Sequence, residues 1–393
     1  MLLKADKKNN PPRPHVMAAL GEDGRSKASA IIASLPGYKP TPLMSLPALA
    51  ALQGVSTLCL KDEGRRFHLT SFKALGGAYA VVALVLDEAR KRLGRDVTPD
   101  ELNAAAVKAV ARQMTFCCAT DGNHGRSVAW GAQLAGAACE IFIHAGVSPG
   151  REAAMAAFGA TMNRISGSYD DSVRIAAKEA AANGWIVVSD TAWPGYEDIP
   201  LTVMQGYCVM IGEALDEMDE APTHIFLQAG VGGMAASVAA YAAQRLGSDA
   251  PKIIVVEPAR AACVYETAKA GRLVTIPHGE PTVMAMLECA TPSPLGWEVL
   301  SARADAYVTL DEHEAIDAMR LLASPKGNDP AIVAGESGAA GLAGFLQCAS
   351  DETARDVLGI NEQSRVLAIV SEGATDPDIY ARIVGRRPQD VAA

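Results

Sequence analysis

The chain has 393 residues, long enough for two α/β domains, and its 49% hydrophobic and 20% charged residues are too apolar a mix for a disordered protein. A formal net charge of −10 with no basic run argues against a nucleic-acid partner. No apolar stretch reaches 18 residues and residues 1–8 lack an apolar core of signal-peptide length, so a cytoplasmic protein with no membrane partner is expected.

The chain opens with a polar, proline-containing segment through Pro14 that reads as an arm. Residues 36–47 hold too many prolines for a helix and read as an extended entry. A short apolar strand is expected over 55–61, then a helix over 73–93 with an Ala/Val/Leu stripe. Strand and helix alternate from there: strand 115–120, helix 125–134, strand 139–144, helix 151–158 and strand 185–189. A longer helix over 201–218 precedes strand 224–228, helix 234–245 and strand 253–257. A glycine-rich helix over 337–349 and a strand over 366–371 close the pattern. Short apolar runs separated by helices mean parallel sheets covered on both faces. The expected fold class is therefore α/β, with two lobes, each a mostly parallel twisted sheet flanked by helices. Residues 1–90 and 196–393 would form a large discontinuous domain and residues 91–195 a small one. Eight cysteines without metal-type spacing read as buried thiols in a reducing compartment. Cys117 and Cys118 point to opposite faces of one strand, and Cys263 and Cys289 are left open as a disulfide.

Three segments carry chemistry. Gly230-Val231-Gly232-Gly233-Met234 follows the strand at 224–228 and opens a helix, where backbone N–H groups and the positive dipole end suit an anion. It also fits the fingerprint Gly-x-Gly-x-x-Gly/Ala, with Glu257 ending the next strand where a ribose-binding acid belongs. A nucleotide, another phosphate ligand and a tight structural turn all stay open for this loop. Lys73 begins a helix in Ser71-Phe72-Lys73-Ala74-Leu75-Gly76-Gly77. A surface lysine is the ordinary reading, but a cation at a helix N-terminus is unfavourable unless its charge is compensated or lost. Gly76 and Gly77 leave space beside it, and a lysine deprived of its charge is a Schiff-base nucleophile. Asp121-Gly122-Asn123-His124-Gly125 joins a strand to a helix. Asn123 can hydrogen-bond a ligand oxygen while the glycines clear its approach; the plain alternative is a helix cap with turn glycines. A covalent lysine, a polar loop and an anion nest, in that order, are what pyridoxal 5'-phosphate requires.

The runs Ser-Phe-Lys-Ala-Leu-Gly-Gly-Ala-Tyr (71–79), Ala-Thr-Asp-Gly-Asn-His-Gly-Arg-Ser-Val-Ala-Trp (119–130) and Gln-Ala-Gly-Val-Gly-Gly-Met (228–234) resemble the fold-type II pyridoxal phosphate enzymes, the class of tryptophan synthase β. Asp-Thr-Ala-Trp-Pro-Gly-Tyr (190–196), Pro-Leu-Gly-Trp-Glu (294–298), Gly-Asn-Asp-Pro (327–330), Gly-Glu-Ser-Gly-Ala (335–339) and Ser-Glu-Gly-Ala-Thr-Asp (371–376) are similar to its diaminopropionate ammonia-lyase branch. The resemblance implies that Lys73 binds the cofactor covalently and that Asn123 hydrogen-bonds its ring hydroxyl oxygen. Gly230, Val231, Gly232, Gly233 and Met234 would cradle its phosphate, and Ser371 would meet the pyridine nitrogen as a neutral hydroxyl, which suits elimination over transamination.

Familiar members of the class carry a small or apolar residue where this chain has Asp121. That carboxylate and Asp190 imply binding and deprotonation of a second ammonium group. Lys73, Asp121 and Asp190 are then the expected catalytic residues, and Ser71, Asp121 and Asp190 the expected substrate contacts, with no metal. His124, Tyr169, Trp193 and Glu336 read equally as pocket walls and as core or caps. The implied activity is an ammonia-lyase, a homodimer whose small-molecule partner is an amino acid, converting D- and L-2,3-diaminopropionate to pyruvate and ammonia by α,β-elimination. The alternatives are a dehydratase of a β-hydroxy amino acid (serine, threonine or hydroxyaspartate), an NAD-dependent oxidoreductase resting on the Gly230 loop, and a non-catalytic amino-acid sensor.

Overall fold

The computed structural model describes residues 1–7, 11–277 and 279–391. Its described strands, in chain order, are β1 (Leu2–Lys4), β2 (Leu43–Ser45), β3 (Thr57–Asp62), β4 (Thr115–Ala119), β5 (Ala138–Ile143), β6 (Thr161–Arg164), β7 (Ile186–Val187), β8 (His224–Gln228), β9 (Lys252–Pro258), β10 (Ala306–Leu310) and β11 (Arg365–Val370). They form a seven-stranded sheet in the order β1-β10-β9-β8-β11-β3-β2 and a four-stranded sheet in the order β6-β5-β4-β7. The five inner strands of the larger sheet run parallel, and only its edges, β1 and β2, are antiparallel. The smaller sheet is parallel throughout. The two sheets bear out the expected α/β class.

The chain divides into two compact units. One comprises Met1–Gly24, Pro40–Phe72 and Met210–Ala393; the other comprises Arg25–Lys39 and Lys73–Val209. The boundaries expected at 90/91 and 195/196 both fall inside the second unit, because the helix Lys73–Leu93 packs along the helix Asn123–Ala135. In the first unit every residue of β8 and β10 is buried, as is all of β9 beyond Lys252. Such strands are apolar without alternation because helices cover both faces of the sheet. Phe226 on β8 meets Phe345 of the covering helix Ala340–Ser350 edge to face, with ring centroids 5.5 Å apart.

In the second unit small residues bring helices together. A Cβ on Gly131 would stand 2.7 Å from the Ala78 Cα, one on Gly77 2.7 Å from Ser127 Oγ, and one on Gly76 2.5 Å from the Tyr207 ring. Gly76 and Gly77 were expected to leave space beside Lys73; that space is filled by Tyr207 and Ser127.

The N-terminal segment departs from the expected arm. Residues 2–4 form edge strand β1 against β10, and Pro14–Ala19 is helical; residues 8–10 lie outside the described residues. All eight cysteines are free thiols, Cys263 and Cys289 included, and six of them are buried. Among the described residues no helix is long and apolar enough to cross a membrane, and no cluster could hold a metal ion.

Candidate active site

Lys73 is the first residue of its helix and its Nζ lies 2.5 Å from Asp190 Oδ2, so the charge disfavoured at a helix N-terminus has a counter-ion. Burial raises the Asp190 carboxyl, but the charge and hydrogen bond of Lys73 outweigh it and hold the group well below the usual carboxylate range. Asp190 is aimed by its own motif. Trp193-Pro194-Gly195-Tyr196 closes a turn with paired backbone bonds of 2.9 and 3.2 Å, and Gly195 sits at φ +84°, where proline before glycine belongs. The Trp193 and Tyr196 rings stack at 4.0 Å, and the Tyr196 hydroxyl donates to Val187 O while accepting from Ser189 N–H. Trp193 thus holds the turn.

The lysine helix is fixed by a residue that sequence reasoning passed over. Ser127 Oγ donates to Lys73 O at 2.7 Å and accepts from Ala78 N–H at 2.8 Å. His124 is buried, and its Nε2 lies 2.8 Å from Val188 O, which can only accept, so Nε2 carries the proton. Its Nδ1 then faces Asp190 Oδ2 at 3.9 Å, and burial lowers its pKa.

Asp121, Asn123 and His124 lie at the turn into the helix Asn123–Ala135, held by Thr120 Oγ1, which accepts from Gly122 N–H and Gly125 N–H at 3.1 Å each. Gly125 was expected to clear a ligand's approach, yet a Cβ there would lie 2.2 Å from Thr120 Cγ2, so it serves packing. Asn123 opens its helix and is part-exposed. Asp121 Oδ1 stands 2.9 Å from His144 Nε2. The Gly146 N–H donates to His144 Nδ1 at 3.1 Å, so the ring proton is on Nε2. His144 ends the segment after β5 and carried no signal in the sequence.

In the other unit the anion loop joins β8 to the helix Gly233–Leu246. Gly232 caps that helix at φ +89°, where a side chain is strained. Val231 O accepts from Ser293 N–H at 2.9 Å, and a Cβ on Gly230 would press on Cys289 Sγ at 3.0 Å. Among the described residues no acceptor meets the N–H groups of Gly230, Val231, Gly233 or Met234. Bare N–H groups at a helix start are a cradle for a phosphate, and the residues present fit that group. Glu257 is no ribose ligand: its two oxygens accept from Val264 N–H at 2.8 Å and Tyr265 N–H at 2.6 Å, capping the helix Cys263–Ala270.

Ser371 follows β11, is 3% exposed, and accepts from Gln228 Nε2 at 2.8 Å. The segment before Lys73 runs antiparallel to it: Phe72 N–H donates to Ser371 O, Gly373 N–H donates to Thr70 O, and Ser71 pairs with Glu372. Phe67 and Thr70 adopt φ of +49° and +52° to make that approach, a strain of about 1–2 kcal/mol each. The turn is anchored by buried Arg66, paired with Glu63 at 2.7 Å and Glu213 at 2.6 Å. Buried Glu336 belongs to the segment 335–339, which packs on Ser371–Gly373, while Tyr169 opens a helix capped by Ser168. The structure thus joins Lys73 with Asp190 and His124, Asp121 with His144, and Ser371 with Gln228 and Ser71.

The family description "Pyridoxal-phosphate dependent enzyme" matches residues 34–372. The chain is 40% identical over 364 residues to the diaminopropionate ammonia-lyase of Escherichia coli (strain K12), covering 91% of this chain and 90% of that protein. Among solved structures it is similar to the Escherichia coli enzyme in complex with D-serine, with a TM-score of 0.89, 36% identity and coverage of 98% and 96%. The same enzyme in complex with an aminoacrylate-PLP azomethine reaction intermediate gives a TM-score of 0.88 at the same identity and coverage.

Proposed function

The chain belongs to the family of pyridoxal-phosphate dependent enzymes, and we propose that it is an ammonia-lyase splitting 2,3-diaminopropionate into pyruvate and two molecules of ammonia. The observation that carries this reading is the Lys73–Asp190 pair at 2.5 Å: a carboxylate that already seats one ammonium group is suited to seat the substrate's second amine. A β-hydroxy amino acid offers no second ammonium group to such a carboxylate.

When bound, the cofactor withdraws electrons from the substrate α-carbon so that its proton can leave. Lys73 would hold the cofactor, and its amine, when free, would be the base for the L-substrate. Asp121, with His144 Nε2 2.9 Å from its Oδ1, is the base for the D-substrate on the opposite face. Asp190 binds the β-ammonium group until it departs as ammonia; the enamine left behind takes up water, giving pyruvate and the second ammonia. The N–H groups of Gly230 to Met234 hold the phosphate, Asn123 the ring oxygen, Ser371 the pyridine nitrogen, and Ser71 the substrate carboxylate. The enzyme works as a homodimer in the cytoplasm.

The test is turnover by purified holoenzyme of D- and L-diaminopropionate, serine and threonine, with oxo acid and ammonia both quantified. Two ammonia per pyruvate from diaminopropionate, with little product from serine or threonine, is the expected outcome. Efficient turnover of serine or threonine and none of diaminopropionate would replace this function with a dehydratase. A protein that binds the amino acid and turns over none of them would be a sensor.

A further inference from the structure

Gln228 ends β8, is 1% exposed, and stands two residues before Gly230. Its amide nitrogen faces four acceptors: Ser371 Oγ at 2.8 Å, Ile369 O at 2.9 Å, Ser337 O at 3.3 Å and Gly338 O at 3.4 Å. Three of these are backbone carbonyls, which only accept. The present amide leaves Oε1 buried without a hydrogen-bond partner, but the reversed one would set it against all three carbonyls, so those contacts decide the orientation. Gly341 leaves the room that Oε1 takes, since a Cβ there would lie 2.8 Å from it.

With the amide fixed, one N–H is committed to Ile369 O and the other to Ser371 Oγ, the two short contacts. Ser371 therefore accepts from Gln228 and cannot donate back to it. A serine hydroxyl has one proton, and among the described residues no acceptor is recorded for this one, although the side chain is buried. Buried hydroxyl protons find acceptors. The missing acceptor belongs to whatever group Ser371 faces.

We infer that Gln228 is a positioning residue that sets the polarity of Ser371, turning its hydroxyl into an obligate donor toward the cofactor's pyridine nitrogen. This rests on the reading that Ser371 meets that nitrogen. The nitrogen must then present its lone pair and stay unprotonated. Were it protonated, Ser371 would accept twice and its own proton would be buried without a partner. Gln228 touches Ser371 and not the cofactor.

The test is the 15N resonance of the protein loaded with ring-15N pyridoxal phosphate, in the native chain and in the Gln228→Met, Gln228→Glu and Ser371→Ala variants. The native resonance is expected at the neutral-pyridine position. Gln228→Glu puts an acceptor against Ser371 and turns its proton inward, so the resonance should move toward the pyridinium position and titrate at higher pH. Gln228→Met removes the donor without reversing it and should fall between the two. A structural role alone would weaken cofactor retention in both variants without that ordered shift. Should Ser371→Ala move the resonance while both Gln228 variants keep the native position, the role of Gln228 is overturned and that of Ser371 stands. An unmoved resonance in Ser371→Ala would instead remove Ser371 from the nitrogen. A native resonance at the pyridinium position overturns the inference without any variant.

Discussion

Replacing Asp190 by Asn leaves the shape of the side chain and removes the charge that Lys73 sees at 2.5 Å. At an effective dielectric near 20, two unit charges at that distance attract by roughly 7 kcal/mol before desolvation is subtracted. The side chains are 20% and 18% exposed, so the pair stands between exposed pairs, worth ~0.2–1 kcal/mol, and buried pairs, whose breaking costs ~3–5 kcal/mol. A coupling of about 1–3 kcal/mol is expected. It is measured on cofactor-free protein by a double-mutant cycle of Asp190→Asn and Lys73→Met, with guanidinium unfolding followed by fluorescence. Trp130, Trp185 and Trp193 lie in the same unit as the pair and report its unfolding. The Asp190 carboxyl is held down in the fold, so its contribution is present above the unfolded carboxyl value of ~3.9 and fades as pH falls through the folded value. The deficit of Asp190→Asn should therefore be largest at neutral pH and close on acidification. A coupling indistinguishable from zero, or a deficit that widens in acid, would refute the electrostatic reasoning.

Asp121→Asn should lower D-diaminopropionate turnover by ~10²–10⁴ while sparing the L-isomer far more; equal losses on both would remove Asp121 as the base. His144→Phe removes the ring nitrogen that stands 2.9 Å from Asp121 Oδ1; a part-exposed polar contact is worth ~0.2–1 kcal/mol, so D-turnover should fall about fivefold at most, and L-turnover little, in steady-state assays. Gly232→Asp puts a carboxylate and a strained φ into the anion loop and should abolish retention of cofactor absorbance through gel filtration, whereas Glu257→Gln should retain it. Burial lifts the Glu257 carboxyl to about 8, above its unfolded value of ~4.3, so this group lowers stability as pH rises between those values. Glu257→Gln should remove that contribution, at most ~1.4 kcal/mol per pH unit, from unfolding curves taken at pH 5 to 8; an unchanged slope would deny Glu257 the raised value.

Elements with an unambiguous period were legible in the sequence. The helix Lys73–Leu93 and strand β8 were placed residue for residue, and most other strands within two residues at each end. Strand β6 escaped because Thr161–Arg164 lies at a sheet edge with both end residues exposed, leaving no apolar run to find. The run Ala306–Leu310 did carry the signal of a buried strand, five residues between Asp305 and Asp311, and its absence from the expected elements was avoidable. The glycines misled in a different way. Gly76, Gly77 and Gly125 look like ligand clearance in a linear sequence, and only the packed helices show Tyr207, Ser127 and Thr120 in that space. Glu257 sat at a fingerprint spacing, but both its oxygens cap helical N–H groups seven and eight residues on. Supporting side chains such as Ser127, His144 and Gln228 act through partners 49, 23 and 143 positions away, and no local pattern encodes such pairings.

Every role assigned to the second unit depends on Lys73 being the residue that holds the cofactor. Borohydride reduction of the holoenzyme, proteolysis and peptide mapping by mass spectrometry test this directly. The pyridoxyl group is expected on Lys73 alone, with Lys73→Ala taking up cofactor through the phosphate loop but yielding no labelled peptide and almost no pyruvate. A pyridoxyl group on any other lysine of the native chain would contradict the account.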